Sequence, residues 1–432
     1  MKRLIDGKLV EWKNNKNRKP LIIYGARQIG KTHSILEFAR AHYASVAYFY
    51  FDNNPDLCAL FDSGYNSIDS LVTRMEAYAN QTITDNTLIV FDEVQTCPAA
   101  LNSLKRFQEA APQYHIIAAG SLLGVAINRQ GASFPVGKVD ELYMHPFTVE
   151  EFLMAFNPKL LPLIKGCFEN DAPMPAGLHK QALELFLQYL VIGGMPEAIL
   201  EYKNTKNYTM VKAKQLSICN NYILDMNKYT ETKTQAVRNE AVYNTLPSQL
   251  AKENRKFQYA LIKSGARAND YELSLHWLEK ASVIIKCSKI TEGKEPLANY
   301  EDFLSFKVYM SDVGLYCAKS NNSHLSVLGR TMGDTAKGAL TENYIAQQLH
   351  ANGFKFYYWE SSNQAELDFV IQIENQIIPI EAKSWEATRS QSLEVFRKKY
   401  NIEKAIRVSA KNFGYENGIK SIPLYAMWCC TP

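Results

Sequence analysis

The sequence has no long hydrophobic run. Its longest uncharged apolar stretch, Ile116 to Asn128, falls short of the roughly 20 residues that cross a bilayer. The opening residues, MKRLIDGKLVEWK, carry charge where a signal peptide has an apolar region. A cytoplasmic protein without a membrane partner is therefore expected. There is no C-x-x-C pair among the eight cysteines, Cys58, Cys97, Cys167, Cys219, Cys287, Cys317, Cys429 and Cys430, which excludes a zinc ribbon or a thioredoxin-type site. Reduced thiols, several of them buried, are expected. The adjacent Cys429 and Cys430 read as part of a hydrophobic C-terminal strand or as a redox pair. No internal repeat or low-complexity tract is present, and neither sign of charge dominates, the net being +4.

What is present is ordinary globular material. Of 432 residues, 47% are hydrophobic and 21% charged, enough for several cores and roughly two to four domains. Charge is uneven along the chain. From Lys203 to Lys294 there are 16 Lys and Arg against 8 Asp and Glu, and the first 19 residues hold 7 against 2. A basic middle segment suits nucleic acid or a solvated face. Proline-rich and polar loops at 157–177 and 320–334 suggest three domains, at 1–156, 178–319 and 333–432.

The first segment alternates apolar strands (Pro20–Tyr24, Ser45–Phe51, Thr87–Phe91, His115–Ala119) with helical stretches such as Thr32–Tyr43. That order predicts an α/β fold, a parallel sheet covered by helices on both faces. Between the first strand and helix lie Gly25, Ala26, Arg27, Gln28, Ile29, Gly30, Lys31 and Thr32, the G-x-x-x-x-G-K-[ST] phosphate loop in its strand–loop–helix context. Glycines let the backbone N–H groups curl toward phosphates, and the helix N-terminus adds partial positive charge. Lys31 is expected to reach the β- and γ-phosphates of ATP, and Thr32 to hold Mg²⁺. Asp92 ends the strand LIVFD, where a carboxylate can bind Mg²⁺, and Glu93 follows as the candidate that polarises an attacking water. Ser121, after Gly120, is a third catalytic candidate beside the γ-phosphate.

Lys31, Thr32, Asp92, Glu93 and Ser121 together resemble the AAA-type P-loop ATPases. GARQIGKT, FDEVQ and AAGSLLG are similar to one group of bacterial and archaeal ATPases that carry a C-terminal domain of unknown function. The likeness continues through FPVGKVDELYMHPFTVEEF (Phe134–Phe152), IGGMPEAI (Ile192–Ile199) and FKVYMSDVGL (Phe306–Leu315). It implies an ATPase fold and phosphate chemistry, with no particular substrate. It also implies an arginine presented to the γ-phosphate. Where Gly-Arg is expected, the sequence has Gly137-Lys138, and Arg129 is the nearest arginine before it. Lysine lacks the planar fork of arginine, so Arg129 and Lys138 are only candidates for charge stabilisation.

In the middle segment, helical spacing over Glu240–Asn254 and Asp270–Ala281, then strands at Ser282–Ile290 and Phe303–Met310, suggest a winged helix. Arg255, Lys256, Lys263 and Arg267 would then face DNA phosphates. The competing reading is a lid or protein-docking module. In the last segment, Asp368 opens a strand, and Glu381 and Lys383 share one face of the next. Glu342 lies in a preceding helix. This order resembles the restriction-endonuclease-like fold, in which the acids hold Mg²⁺ and the lysine orients water. Two functions follow: an ATPase acting with DNA through these parts, or a slow nucleotide switch that docks a protein partner or a second copy of itself.

Overall fold

The computed structural model describes residues 1–62, 67–126, 137–230, 232–252, 255–361, 365–384 and 391–432. The chain forms two compact units, Met1–His145 with Lys280–Ser282, and Pro146–Glu279 with Val283–Pro432.

In the first unit, α1 (Leu4–Asn14) precedes β1 (Leu21–Tyr24), α2 (Lys31–His42), β2 (Ser45–Tyr50), α3 (Pro55–Ala59), α4 (Ile68–Ala79), β3 (Thr87–Asp92), α5 (Pro98–Ala110), β4 (His115–Ala119), α6 (Leu123–Ala126) and β5 (Asp140–Tyr143). The strands form one parallel sheet in the order β2-β3-β4-β1-β5. Every residue of β1, β3 and β4 is buried, because helices cover both faces, as their unbroken apolar runs require. Phe49, Phe51, Phe61 and Phe91 interlock edge-to-face within the core. The register puts Asp92 beside Ala119 and Ala119 beside Ile23. The carboxyl ends of β3, β4 and β1 thus lie level and adjacent, the place where open parallel sheets bind ligands.

The second unit begins with helices: α7 (Val149–Phe156), α8 (Leu160–Glu169), α9 (Ala176–Ile192), α10 (Pro196–Thr205), α11 (Tyr208–Tyr229), α12 (Lys233–Leu250) and α13 (Ala268–Lys280). Then come β6 (Ile284–Ile290), β7 (Glu301–Met310), α14 (Val313–Lys319), α15 (His324–Leu328), α16 (Asp334–Ala351), β8 (Phe356–Glu360), β9 (Glu366–Ile373), β10 (Gln376–Ala382), α17 (Gln391–Tyr400), β11 (Ala405–Ser409), β12 (Gly414–Glu416) and β13 (Ile419–Pro423). One sheet holds all eight strands, in the order β12-β13-β11-β10-β9-β8-β6-β7. Among the described residues no single helix is long and apolar enough to cross a membrane.

Several expectations need correction. The segment 157–177 is not a loop but contains α8, whose Pro162 sits in the first helical turn, where a missing N–H costs nothing. The loop at 320–334 does not divide compact units. The hairpin β6–β7 exists and its two preceding helices fall close to where spacing put them, yet β6 pairs in parallel with β8 through Ser288–Tyr357 and Ile290–Trp359. Instead of standing free as a wing, the hairpin extends the C-terminal sheet, and Ile290 and Leu297 share a core with Trp359, Leu367 and Phe396. All eight cysteines are free thiols, five of them buried. Cys429 ends a buried 3₁₀ turn, Leu424–Cys429, instead of lying in a strand.

Candidate nucleotide site

The loop between β1 and α2 is shaped by backbone that only certain residues tolerate. Gly25 has φ +142°, and a Cβ there would lie 2.2 Å from the Met144 carbonyl oxygen. Gln28 and Gly30 also have positive φ, at 64° and 92°, so the loop turns sharply before α2 starts at Lys31. The Lys31 ammonium is buried and donates to the Gly25 and Ala26 carbonyls, each at 2.8 Å. Burial lowers its pKa to about 8, and the nearby Glu93 and Asp92 carboxylates oppose that shift.

Thr32, one residue on, donates its hydroxyl to Asp92 Oδ2 at 2.7 Å. Tyr48 OH donates to the same oxygen at 2.7 Å, and the Glu93 amide donates to Oδ1 at 3.0 Å. The hydroxyl of Thr32 and the carboxylate of Asp92 are hard oxygen donors in contact, a set that suits Mg²⁺ completed by phosphate and water oxygens. Glu93 takes a left-handed conformation, φ 51°, which turns its side chain back over the strand ends. Its carboxylate accepts from Gln95 Nε2 at 2.5 Å and from Ser121 Oγ at 3.2 Å. A Cβ on Gly120 would collide with Gln95 Oε1 at 1.9 Å, so glycine before Ser121 makes room for this contact.

The structure thus brings together Lys31, Thr32, Asp92, Glu93 and Ser121. It adds three residues that the motifs did not single out. Tyr48 is an outward position on β2 with no motif around it. Gln95 stood in FDEVQ without an assigned role. Arg3 belongs to the basic N-terminus and donates to the Ile29 carbonyl of the loop. Of the charge-stabilising candidates, Arg129 lies outside the described residues. Lys138 forms an exposed ion pair with Glu109 at 3.1 Å, so its charge is already matched at the surface.

The other sequence-derived sets fare differently. Arg255 and Lys256 do not stand ready for phosphates: Arg255 pairs with buried Glu342, and Lys256 with Glu360 at 2.5 Å. A Cβ on Gly338, one helical turn before Glu342, would meet Arg255 Nη2 at 2.4 Å, so a glycine gives the guanidinium its seat. Lys263 and Arg267 are exposed. In the nuclease-like set, Glu342 also faces Lys307 Nζ at 3.6 Å and accepts from Tyr309 OH at 3.3 Å. Fully buried Lys307 pairs in addition with Glu366. Glu381 and Lys383 do share a face, with Nζ and Oε1 2.5 Å apart, and Asp368 accepts from the Ala382 amide at 2.9 Å. Each carboxylate is met by a cation or N–H of the chain itself. Among the described residues no group of three or more His, Cys, Asp or Glu is placed to hold a metal. Glu381 and Lys383 thus meet on one face as their spacing predicts, while Glu342 is held by Arg255 and Lys307.

Three family comparisons match the chain piecewise. Residues 17–153 match the AAA domain family, residues 183–326 a domain of unknown function (DUF8612), and residues 337–427 another domain of unknown function (DUF4143). Residues 17–153 are thus similar to AAA domains. Among solved structures, a Walker-type ATPase of Pyrococcus abyssi is similar at 14% identity, over 74% of this chain and 95% of that one, with a TM-score of 0.42. The ORC2 protein of Aeropyrum pernix, in ADPNP–ADP complexes, is similar at 11% identity, over 77% and 95%, with a TM-score of 0.36. No curated protein matches the chain.

Proposed function

We propose that the AAA domain binds and hydrolyses ATP. The observation that carries this reading is the contact of Thr32 with Asp92 beside a buried Lys31, at the level carboxyl ends of three parallel strands. On this reading the loop amides and Lys31 hold the β- and γ-phosphates, and Lys31 exchanges its two backbone carbonyls for phosphate oxygens. Thr32 and Asp92 would hold Mg²⁺, which neutralises charge on the phosphates when bound. Glu93 orients and deprotonates the attacking water, and Ser121, just past the end of β4, fixes the carboxylate of Glu93.

The held position of Glu93, bonded at once to Gln95 and Ser121, favours slow turnover, as a nucleotide-dependent switch requires. DNA contact is the alternative, supported by exposed Lys263 and Arg267 in the basic middle segment. Glu93→Gln should bind ATP with Mg²⁺ normally and turn over at least ~100-fold more slowly. Wild-type turnover by that variant would assign the water to another residue. ATPase rates with and without DNA, at two salt concentrations, separate the alternatives. Stimulation that falls steeply with salt supports DNA contact, and indifference to DNA supports the switch.

A further inference from the structure

Arg3 stands immediately before α1, with its side chain buried. Its backbone is held by Asp6, whose Oδ2 accepts from the Arg3 amide at 3.0 Å. The helix behind it is anchored by buried Ile5 and Leu9 and by Trp12, whose Nε1 donates to the Lys19 carbonyl at 2.8 Å. From this fixed base the guanidinium reaches two distant backbones. Nη1 donates to the Ile29 carbonyl at 2.8 Å and Nη2 to the His145 carbonyl at 2.7 Å.

Both targets bear on the phosphate loop. Ile29 is the residue before Gly30, and the C=O and N–H of a trans peptide point in opposite directions. Drawing the Ile29 carbonyl toward Arg3 therefore turns the Gly30 N–H away from it. Gly30 has φ 92° and no side chain, so little else resists a flip of this peptide. His145 follows Met144, whose carbonyl is the surface against which Gly25 packs. One planar fork thus grips the late part of the loop and the backbone that supports its start, a task for which arginine's geometry suits and lysine's single ammonium does not.

We infer that Arg3 is a positioning residue for the nucleotide, fixing the peptide between Ile29 and Gly30 so that its N–H is presented to the di- or triphosphate. The inference rests on the ATP-binding reading above.

The test uses the full chain with Arg3→Ala, Arg3→Lys and Lys31→Ala. It measures ATP and ADP dissociation constants, steady-state kcat and KM, and the thermal midpoint without nucleotide. Loss of a charge-assisted hydrogen bond predicts that Arg3→Ala raises Kd and KM about 10- to 100-fold, with kcat at saturation changed by less than about threefold. Arg3→Lys, able to serve one carbonyl, should fall between. Wild-type Kd and KM in a folded Arg3→Ala, or a loss confined to kcat, would overturn the inference. Should Arg3→Ala fail to fold, Arg3→Lys carries the test, and a wild-type KM there overturns it equally. Lys31→Ala separates the two ideas: if it binds ATP as the wild type does, the ATP reading itself fails. If it abolishes binding while Arg3→Ala changes nothing, only the role of Arg3 falls.

Discussion

Lys31 is a cation that the fold has largely removed from water, and without nucleotide its hydrogen-bond partners are the Gly25 and Ala26 carbonyls. Burial holds its pKa at about 8 against an ordinary value of 10.5. A polyphosphate placed against it favours the charged form and raises that value. At pH 8.5 part of the Lys31 population is neutral in the free protein, so ATP binding should take up protons; at pH 6.5 this group should contribute none. Calorimetric titration in two buffers of different ionisation enthalpy measures this, and equal heats at pH 8.5 would show that Lys31 is already fully charged. The stability sign runs the other way. The unfolded chain binds more protons than the folded one between about pH 8 and 10.5, so this group makes the nucleotide-free protein more stable as pH rises through that window.

At the level of elements, two segments far apart in sequence are fastened by one carboxylate. Asp312 caps α14, its Oδ1 accepting from the Leu315 amide at 2.9 Å, while Oδ2 accepts from the Gly194 amide at 2.6 Å. The backbones are so close that a Cβ on Gly314 would lie 2.5 Å from Gly193 Cα. Two glycines are thus what allow IGGMPEAI and FKVYMSDVGL to meet. Asp312→Ala should remove a helix cap and leave the Gly194 N–H without its acceptor, at a cost of about 2–4 kcal/mol. Urea unfolding reads it, and a loss under ~1 kcal/mol would mean that other groups take over. Burial pushes the Asp312 pKa up to about 6, although the amides of Gly194, Leu315 and Gly314 oppose the shift. A raised carboxylate contributes its stability below about pH 4 and loses it as pH rises through 6, so this group works against the usual acid denaturation.

For the whole molecule, the buried ion network decides how the middle and C-terminal segments are read. Arg255, Lys307, Glu342 and Glu366 pair with one another, with Tyr309 and Tyr358 against them. Arg255 and Lys307 come from the middle segment and the two acids from the last, so these charges join what sequence divides. Removing one partner of a buried pair leaves an uncompensated charge. Glu342→Gln should therefore destabilise the protein by about 3–5 kcal/mol, measured by denaturant unfolding. A loss under ~1 kcal/mol would show that Glu342 is not held as a buried, paired charge.

The sequence alone determined the phosphate loop, the strand that ends in Asp92 and Glu93, and the parallel α/β character of the first unit. These features are local: a glycine pattern dictates the loop's dihedrals, and uninterrupted apolar runs dictate a sheet buried on both faces. The helices before β6, the hairpin, and the shared face of Glu381 and Lys383 were also legible, because periodicity is a short-range property. Only tertiary structure decided what those pieces do together. Spacing does not say which strand β6 will pair with, nor that Arg255 will reach Glu342 over Gly338, nor that Arg3 will reach across to Ile29. Each depends on contacts between residues tens to hundreds of positions apart. A basic residue facing solvent and one neutralising a buried acid look the same in sequence.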